Sequence, residues 1–318
     1  MSPSASPLRA WLAADEPVVL DGALATELEN RGCDLRDPLW SARILIERPE
    51  LIRAVHADYF AAGADVAITA SYQASFEGFA RRGIGAEEAN ALLRRSVELA
   101  AAARDAFWAE PRNRVGRRRP LVAASVGPYG AMLADGSEYR GHYGLARPAL
   151  MDFHRPRMGA LLAAGADLLA CETIPCLDEA LALAQLLAEF PGAEAWIAFS
   201  CRDDAHVCQG ERFDDCLRAL DGFGQVAAVG LNCTAPAHVV PLLTAGRAAT
   251  AKPLLAYPNS GERYDPGGKC WHGAADARQF AAAARGWYAA GARLIGGCCR
   301  TGPAEIAAIA AWARAAAA

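Results

Sequence analysis

Short apolar runs rich in β-branched residues alternate with longer alanine- and leucine-rich stretches along the whole chain. The short runs are typical of buried strands, and the longer stretches have the spacing of helices that bury one face. The predicted strands are Val18–Leu20, Val66–Thr69, Leu121–Ser125, Leu168–Cys171, Ala195–Ser200, Ala228–Leu231, Leu254–Tyr257 and Leu294–Ile295. The predicted helices between them include Pro49–Ala62, Ala86–Trp108, Ala149–Ala164 and Leu177–Phe190.

This alternation predicts an α/β fold with a parallel sheet, and eight strands is the number that closes such a sheet into a (β/α)8 TIM barrel. Ala-Ala-Gly-Ala-Asp at 61–65 recurs at 163–167, and Ala-Ala-Gly-Ala-Arg stands at 289–293, each between a helical stretch and a strand. A glycine just past a helix supplies a left-handed cap, so the repeated joint supports repeated strand–helix units. We predict a single barrel domain over residues 1–318. An open doubly wound sheet is the alternative, although no GxGxxG motif follows the first strand.

Polar or reactive residues follow nearly every predicted strand. Asp21 follows the first strand and Glu172 the fourth, while Cys233 follows the sixth and Cys298 the eighth. Active sites of barrel enzymes are built from the loops at the carboxyl ends of the strands. The pattern therefore predicts an enzyme.

Composition and charge exclude several other classes. The 36 acidic and 32 basic residues give a net charge of -4, whereas nucleic-acid-binding domains are usually strongly basic. We find neither a signal-peptide core nor an apolar stretch of about 20 residues that would span a membrane. These features predict a cytoplasmic protein whose partners are small molecules, with no nucleic acid and no membrane surface. They do not predict its oligomeric state.

The chain has ten cysteines, most of which we expect to stay reduced in a cytoplasmic protein. The glycines of Gly296-Gly297-Cys298-Cys299 let the backbone leave strand geometry, so that both sulfurs reach one site. Cys233 ends a strand two places away in the barrel, so three thiolates are predicted to converge. Three cysteine ligands and an open fourth position are typical of a catalytic zinc site. Packed reduced cysteines and a structural site that recruits Cys201 as a fourth ligand remain alternatives.

Eight motifs spread over residues 21–301 carry a family resemblance. They are DGALATEL at 21–28, ITASYQA at 68–74, SVGPYG at 125–130, LADGSEYRG at 133–141, ACET at 170–173, GLNC at 230–233, YPNSGE at 257–262 and GGCCRT at 296–301. Together they resemble the homocysteine S-methyltransferase family, most closely the branch that uses S-methylmethionine or S-adenosylmethionine.

The resemblance implies zinc-dependent transfer of a methyl group from such a sulfonium donor to the thiolate of L-homocysteine, which forms methionine. It implies that the catalytic Zn²⁺ ligands are Cys233, Cys298 and Cys299. Glu172 matches the glutamate that binds the amino group of homocysteine, and Asp21 matches an aspartate of the same site. Asn232 completes the predicted substrate-binding set, and its place beside Cys233 also suggests that it orients that ligand.

Other interpretations remain open beside this one. Trp40 and Tyr72 are the aromatic residues predicted to face a sulfonium cation, although aromatic residues are usually core. A methyltransferase of the same fold could use betaine or another thiol, and a non-catalytic barrel could sense zinc or redox state. A zinc hydrolase is disfavoured because it would use histidine or carboxylate ligands and a general base. The six histidines are predicted to lie on the surface or in loops.

Overall fold

Parallel strands form a closed barrel in the computed structural model, which describes residues 7–14, 16–34, 40–261, 263–265, 270–272 and 276–317. The strands are β1 (Val18–Val19), β2 (Val66–Ile68), β3 (Leu121–Val126), β4 (Leu168–Ile174), β5 (Ala195–Phe199), β6 (Val226–Asn232), β7 (Leu254–Tyr257), β8 (Arg263–Asp265), β9 (Cys270–His272) and β10 (Ala292–Ile295). Eight of them pair in the order β1-β10-β7-β6-β5-β4-β3-β2, and a bridge from Leu20 to Val66 closes the ring. The predicted (β/α)8 barrel is confirmed, and the open doubly wound alternative is wrong.

Helices follow the strands and surround the barrel. They are α1 (Pro7–Leu12), α2 (Leu24–Asn30), α3 (Trp40–Glu47), α4 (Pro49–Ala62), α5 (Phe76–Ala80), α6 (Ala86–Ala109), α7 (Tyr129–Leu133), α8 (Arg147–Ala163), α9 (Leu177–Leu186), α10 (Phe213–Ala219), α11 (Pro236–Ala249), α12 (Ala277–Ala289) and α13 (Pro303–Ala317). The four predicted helices correspond to α4, α6, α8 and α9. In the described part of the chain, no helix is both long enough and apolar enough to cross a bilayer.

The side chains inside the barrel form a core of their own. Because neighbouring strand residues face opposite sides, Leu168 and Ala170 of β4 join the interior cluster, while Cys171 packs in the outer cluster with the helices. Cys171 therefore faces away from its neighbour Glu172, which lines the cavity at the carboxyl ends of the strands. Leu8 of α1 is fully buried in the interior cluster, so α1 covers the end of the barrel where the strands begin.

The glycines of the repeated alanine-glycine joints have the predicted left-handed conformation. Gly63, Gly165 and Gly291 have φ values of 119°, 88° and 119°, the left-handed conformation expected after a helix. The aspartates of the joints have a further role, because the Oδ2 atom of Asp65 accepts a hydrogen bond from Val19 N at 2.9 Å. Asp167 accepts one from Val122 N at 2.7 Å in the same way. Each aspartate therefore ties the start of one strand to its neighbour.

Two features differ from the sequence-based expectations. Strands β8 and β9 form an antiparallel hairpin between β7 and α12, which was not predicted because each strand has only three residues. His56 of α4 and His154 of α8 are fully buried, so their predicted surface or loop positions are wrong. Burial lowers the pKa of both side chains to about 4, which keeps the imidazoles neutral at physiological pH.

Candidate active site

Three cysteine side chains meet at the end of the barrel where the strands finish. Cys233 directly follows β6, and Cys298 and Cys299 follow β10 after two glycines. The three sulfur atoms lie within 4.8 Å of one another, and a disulfide bond joins Cys233 to Cys298. Only β7 separates β6 from β10 in the ring, so the strand order itself brings the three residues together.

The glycine pair before the two cysteines is required by close packing. A Cβ atom on Gly296 would lie 2.6 Å from the Cβ of Leu20, and one on Gly297 would lie 2.2 Å from the hydroxyl oxygen of Thr301. Neither glycine has a positive φ. Glycine is therefore required at both positions because a side chain would not fit against Leu20 and Thr301. The backbone freedom expected from the sequence is not the reason. The Thr301 hydroxyl also donates to the carbonyl oxygen of Cys298 at 2.6 Å, which fixes the turn.

The three sulfurs suit a soft metal ion with one open coordination position. Three thiolates bound at about 2.3 Å to a tetrahedral zinc ion would lie about 3.8 Å from one another, so the bonded sulfurs of Cys233 and Cys298 would have to separate for an ion to bind. A sulfur in a disulfide offers no thiolate, so metal binding requires the Cys233–Cys298 bond to be reduced. Cys201 is a buried free cysteine that does not belong to the cluster. Among the described residues, the alternative four-cysteine site is therefore not formed.

A cavity of about 190 Å³ opens beside the sulfurs. Its lining includes all six residues selected from the sequence, which are Asp21, Glu172, Asn232, Cys233, Cys298 and Cys299. The walls come from strands β2, β4, β6 and β7, from the start of α2, and from the loops after β1, β2, β3, β6 and β10. The structure thus brings the predicted residues together, and the role of each one stays a prediction.

Glu172 is held by a buried network from the barrel interior. The Ser125 hydroxyl donates to its Oε1 atom, and the Tyr257 hydroxyl also bonds to its carboxylate. Trp196, deep in the barrel, donates from Nε1 to the Tyr257 hydroxyl at 3.1 Å. Burial raises the pKa of Glu172 to about 7, against the opposite effect of these hydrogen bonds. A carboxylate with this pKa would be stabilised strongly by a cation in the cavity.

Asp21 presents a second buried carboxylate. Its Oδ2 atom accepts a hydrogen bond from Ile68 N at 2.8 Å, whereas Oδ1 is buried with no hydrogen-bond partner in the part of the chain that the structure describes. Burial raises its pKa well above the usual value, and the negative charge of Glu172 raises it further. The next residue, Gly22, is again a packing requirement, because a Cβ there would lie 2.8 Å from Thr301 O.

Asn232 links the cysteine cluster to β4. Its Oδ1 atom accepts from Thr173 N at 2.6 Å, and its Nδ2 donates to the Thr173 hydroxyl at 2.9 Å and lies 4.0 Å from Cys298 Sγ. Thr173 has a φ of 59° and Cys233 a φ of 45°, and a positive φ is rare for a β-branched residue such as threonine. The fully buried Asn232 therefore stabilises the strained backbone of Thr173, a residue of the cavity lining. These contacts fit the orienting role suggested by the sequence.

Several cavity residues were given no role from the sequence. Glu138 and Tyr139 line the cavity and belong to the LADGSEYRG motif. Tyr257 also lines it, and its position two residues after the inward-facing Leu255 on β7 could have predicted this from the sequence. Tyr72 lies in the cavity lining as predicted, with its oxygen bonded to the Thr173 hydroxyl. The side chain of Trp40, the other predicted aromatic residue, lies outside the described residues.

A closed barrel that gathers three cysteines, two buried carboxylates and aromatic side chains at the carboxyl ends of its strands defines a barrel enzyme. The model of the homocysteine S-methyltransferase family matches residues 18–313. Homocysteine S-methyltransferase YbgG of Bacillus subtilis is 59% identical over 297 residues, which cover 93% of this chain and 94% of the relative. Selenocysteine Se-methyltransferase of Brassica oleracea is 46% identical and aligns over 92% of this chain and 87% of its own.

Solved structures agree with the sequence comparison. Crystal structures of the homocysteine methyltransferase MmuM from Escherichia coli, in an oxidized and in a metallated form, each superpose with a TM-score of 0.87 at 51% identity. The match covers 96% of this chain and 99% of that one. The chain therefore belongs to the homocysteine S-methyltransferase family and is a methyl-transferring enzyme.

Proposed function

We propose that the protein transfers a methyl group from a sulfonium donor, S-methylmethionine or S-adenosylmethionine, to the thiolate of L-homocysteine, forming methionine. The observation that carries this proposal is the meeting of Cys233, Cys298 and Cys299 in one cavity with two buried carboxylates, Glu172 and Asp21. Family membership supports the acceptor. The aromatic residues of the cavity and the motifs of the sulfonium-using branch support the donor.

The proposed metal ligands are the thiolates of Cys233, Cys298 and Cys299, and the proposed ion is Zn²⁺. Bound zinc would keep the acceptor sulfur as a thiolate at neutral pH, where a free thiol with a pKa of about 8.5 is mostly protonated. Asn232 contributes by its contact with Cys298 Sγ and by its two hydrogen bonds to Thr173, which fix the position of its own side chain.

Glu172 and Asp21 are proposed to bind the ammonium group of homocysteine. Both carboxylates are buried in the cavity wall, and the Oδ1 atom of Asp21 has no protein partner among the described residues. An ammonium group supplies both the missing hydrogen bonds and a neutralising charge, which matters most where water is excluded. The Ser125 and Tyr257 hydroxyls hold Glu172 in the orientation that this contact requires.

In the reaction, the homocysteine sulfur attacks the methyl carbon of the donor in line with the departing sulfur. A new sulfur–carbon bond forms while the donor's bond to the same methyl group breaks, and its electron pair returns to the donor sulfur. The donor loses its positive charge and the acceptor its negative charge, and no proton moves in this step. Because opposite charges are consumed, a cavity that excludes water favours the transition state.

The test is methionine formation from homocysteine with S-methylmethionine, S-adenosylmethionine and betaine in parallel, together with the zinc content of the same reduced sample. We expect turnover with a sulfonium donor at about one zinc per chain, a single catalytic site of the kind proposed. Turnover with betaine alone would replace the proposed donor. One zinc without turnover on any donor would instead point to another acceptor thiol or selenol, which selenohomocysteine and selenocysteine would test in the same assay.

The non-catalytic alternative predicts a different outcome. A zinc- or redox-sensing barrel would show no turnover and would respond to low concentrations of peroxide. The remaining sequence predictions also stand as proposals: one barrel domain over residues 1–318, a Zn²⁺ cofactor, and small molecules rather than nucleic acid or membranes as partners. The match of the family model to residues 18–313 supports the first of these. The cytoplasmic location stays a prediction from the sequence.

A further inference from the structure

The loop between β3 and α8 contributes a third carboxylate to the cavity. It contains α7 and a short 3₁₀ turn at Ser137–Tyr139, and it places Glu138 and Tyr139 in the cavity lining. Asp21 and Glu172 belong to strand ends in the barrel wall, whereas Glu138 comes from this separate loop. The mechanism proposed above has no role for Glu138.

The position of Glu138 is fixed by contacts of its backbone. Its carbonyl oxygen accepts a hydrogen bond from the Ser200 hydroxyl at 3.2 Å. Its amide nitrogen lies so near Gly130 that a Cβ there would be only 2.4 Å away. Further along the loop, His142 N donates to Gln209 Oε1 at 2.7 Å. The carboxylate is therefore presented by a segment anchored on both sides.

The carboxylate of Glu138 is incompletely paired. Its Oε2 atom is buried and has no hydrogen-bond partner within the described ranges. The nearby Arg140 forms its ion pair with Asp135 instead, at 3.5 Å. Burial raises the pKa of Glu138 and the charge of Asp135 raises it further, whereas the charge of Arg140 acts in the opposite direction without cancelling the effect of burial. Because a buried carboxylate is costly unless its charge is paired, a cationic ligand beside Glu138 would be bound favourably.

Aromatic groups surround the same part of the cavity. Tyr72 and Tyr139 both line it, although 45% of the Tyr139 surface is exposed. Burial raises the pKa of the Tyr72 phenol, and the negative charge of Glu138 adds to this effect. Tyr139 and Glu138 share the cavity lining with Cys299 of the cysteine cluster. A carboxylate beside aromatic rings suits a cation that has no N–H groups to donate.

We propose that Glu138 is a specificity-determining residue that pairs with the sulfonium charge of the methyl donor, next to the rings of Tyr72 and Tyr139. This inference rests on the proposed function, because it needs a sulfonium donor. The three carboxylates of the cavity then have different roles, since Asp21 and Glu172 bind the acceptor, whereas Glu138 selects a cationic donor.

The test compares Glu138→Gln with Glu138→Asp and with Glu77→Gln, an exposed glutamate of α5 that undergoes the same loss of charge. Binding of S-methylmethionine is measured by calorimetry, and trimethylsulfonium, a sulfonium without an amino-acid group, is measured as an inhibitor. We expect Glu138→Gln to weaken both by about tenfold or more, the range for the loss of a close pair of opposite charges. Glu138→Asp should retain most of the affinity, and Glu77→Gln all of it. The KM for homocysteine and the zinc content should not change in any of the three.

Three outcomes would overturn the proposal. Wild-type trimethylsulfonium inhibition in Glu138→Gln would remove the sulfonium contact. Weaker binding of S-methylmethionine but not of trimethylsulfonium would assign Glu138 to the donor's ammonium group. An equal rise in the KM for homocysteine would place it in the acceptor site. If the wild-type enzyme shows no turnover with any sulfonium donor, the proposed function fails and this inference fails with it, whereas the other outcomes leave the proposed function intact.

Discussion

The two ends of the barrel are built in opposite ways. Where the strands begin, charged groups are paired with the backbone: Asp65 and Asp167 accept hydrogen bonds from neighbouring strands, and Arg117 donates to the carbonyl oxygens of Phe60 and Ala64. Where the strands finish, the backbone is strained. Every described non-glycine residue with a positive φ lies in a loop or strand end on that side, namely Ala134, His142, Thr173, Cys233 and Arg300.

Strand β4 shows the contrast within a few residues. Asp167, just before the strand, bonds to Val122 N and to the Arg104 guanidinium at 2.9 Å. Glu172, near the other end, is buried at a raised pKa and forms no ion pair with the described residues. A left-handed conformation costs a non-glycine residue about 1–2 kcal/mol, and strain of this size persists only where the surrounding structure holds it. One end of the barrel therefore stabilises the fold, and the other end gives up stability for a site.

The largest effect is expected from the cysteine cluster. Cys298→Ser should release the bound metal and lower turnover by more than about 100-fold, the upper range for a change in the shell outside the ligands. The melting temperature should change little, because the cluster lies on the rim of the barrel. Metal analysis and methionine formation are measured in parallel on Cys33→Ala, in which the changed residue is a free cysteine in the loop after α2. Wild-type turnover by a metal-free Cys298→Ser enzyme would disprove the metal-thiolate site.

The next largest effects are expected from two glycine substitutions, one at each end of the barrel. Gly297→Ala should lower metal content and turnover by about tenfold or more, because the added Cβ pushes on Thr301 and displaces Cys298. Gly63→Ala, at a helix–strand joint, should cost more than about 1 kcal/mol of unfolding free energy and leave metal binding unchanged, because its φ of 119° disfavours alanine. Denaturant unfolding and metal titration are the measurements. If Gly63→Ala lost metal as readily as Gly297→Ala, the two ends would not be independent.

A third pair of variants uses Asp167, just before β4, and Glu172, near the end of β4. The folded-state pKa of Glu172 is raised from 4.5 to about 7, so its ionisation costs stability progressively as pH rises through that window. Glu172→Gln removes this cost and should raise the free energy of unfolding at pH 8 by up to about 3 kcal/mol. It should also raise the KM for homocysteine by about tenfold, because a charged contact is lost.

Asp167→Ala should lower stability, in contrast to Glu172→Gln, and should not affect catalysis. It should lower stability by about 2 kcal/mol through the loss of its charged hydrogen bonds and leave the kinetic constants unchanged. In the wild type, kcat/KM for homocysteine should fall below about pH 7 as Glu172 is protonated. Urea unfolding at several pH values and steady-state kinetics test both variants. A pH profile that persists unchanged in Glu172→Gln would assign the titration to another group.

The smallest effect is expected from Ala134→Gly. Ala134 is exposed, with a φ of 56°. Relief of strain of about 1–2 kcal/mol, offset by the greater freedom of glycine in the unfolded chain, should leave a net gain of about 0.5 kcal/mol. Turnover should stay at the wild-type level. A loss of stability would show that the left-handed conformation at this position is not strained.

Much of the fold and part of the site could be predicted from local patterns in the sequence. Apolar runs located the eight barrel strands, because strands buried on both faces must be apolar throughout. The cysteine cluster could also be predicted, because the strand order of a barrel places the residues after β6 and β10 close together. The hairpin β8–β9 and the burial of His56 and His154 were missed, because short strands have no clear period and a single histidine does not reveal which way its helix faces.

The sequence by itself determined the barrel, the helix–strand joints and the family, since these depend on repeated patterns and contiguous motifs. Only the tertiary structure decided that Gly296 and Gly297 are needed for space, and that Trp196, Tyr257 and Ser125 converge on Glu172. It also decided that Glu138 reaches the cavity with an unpaired oxygen, as far as the described residues extend. The physical reason is that packing distance and hydrogen-bond pairing depend on residues far apart in the chain, which meet only when the barrel closes.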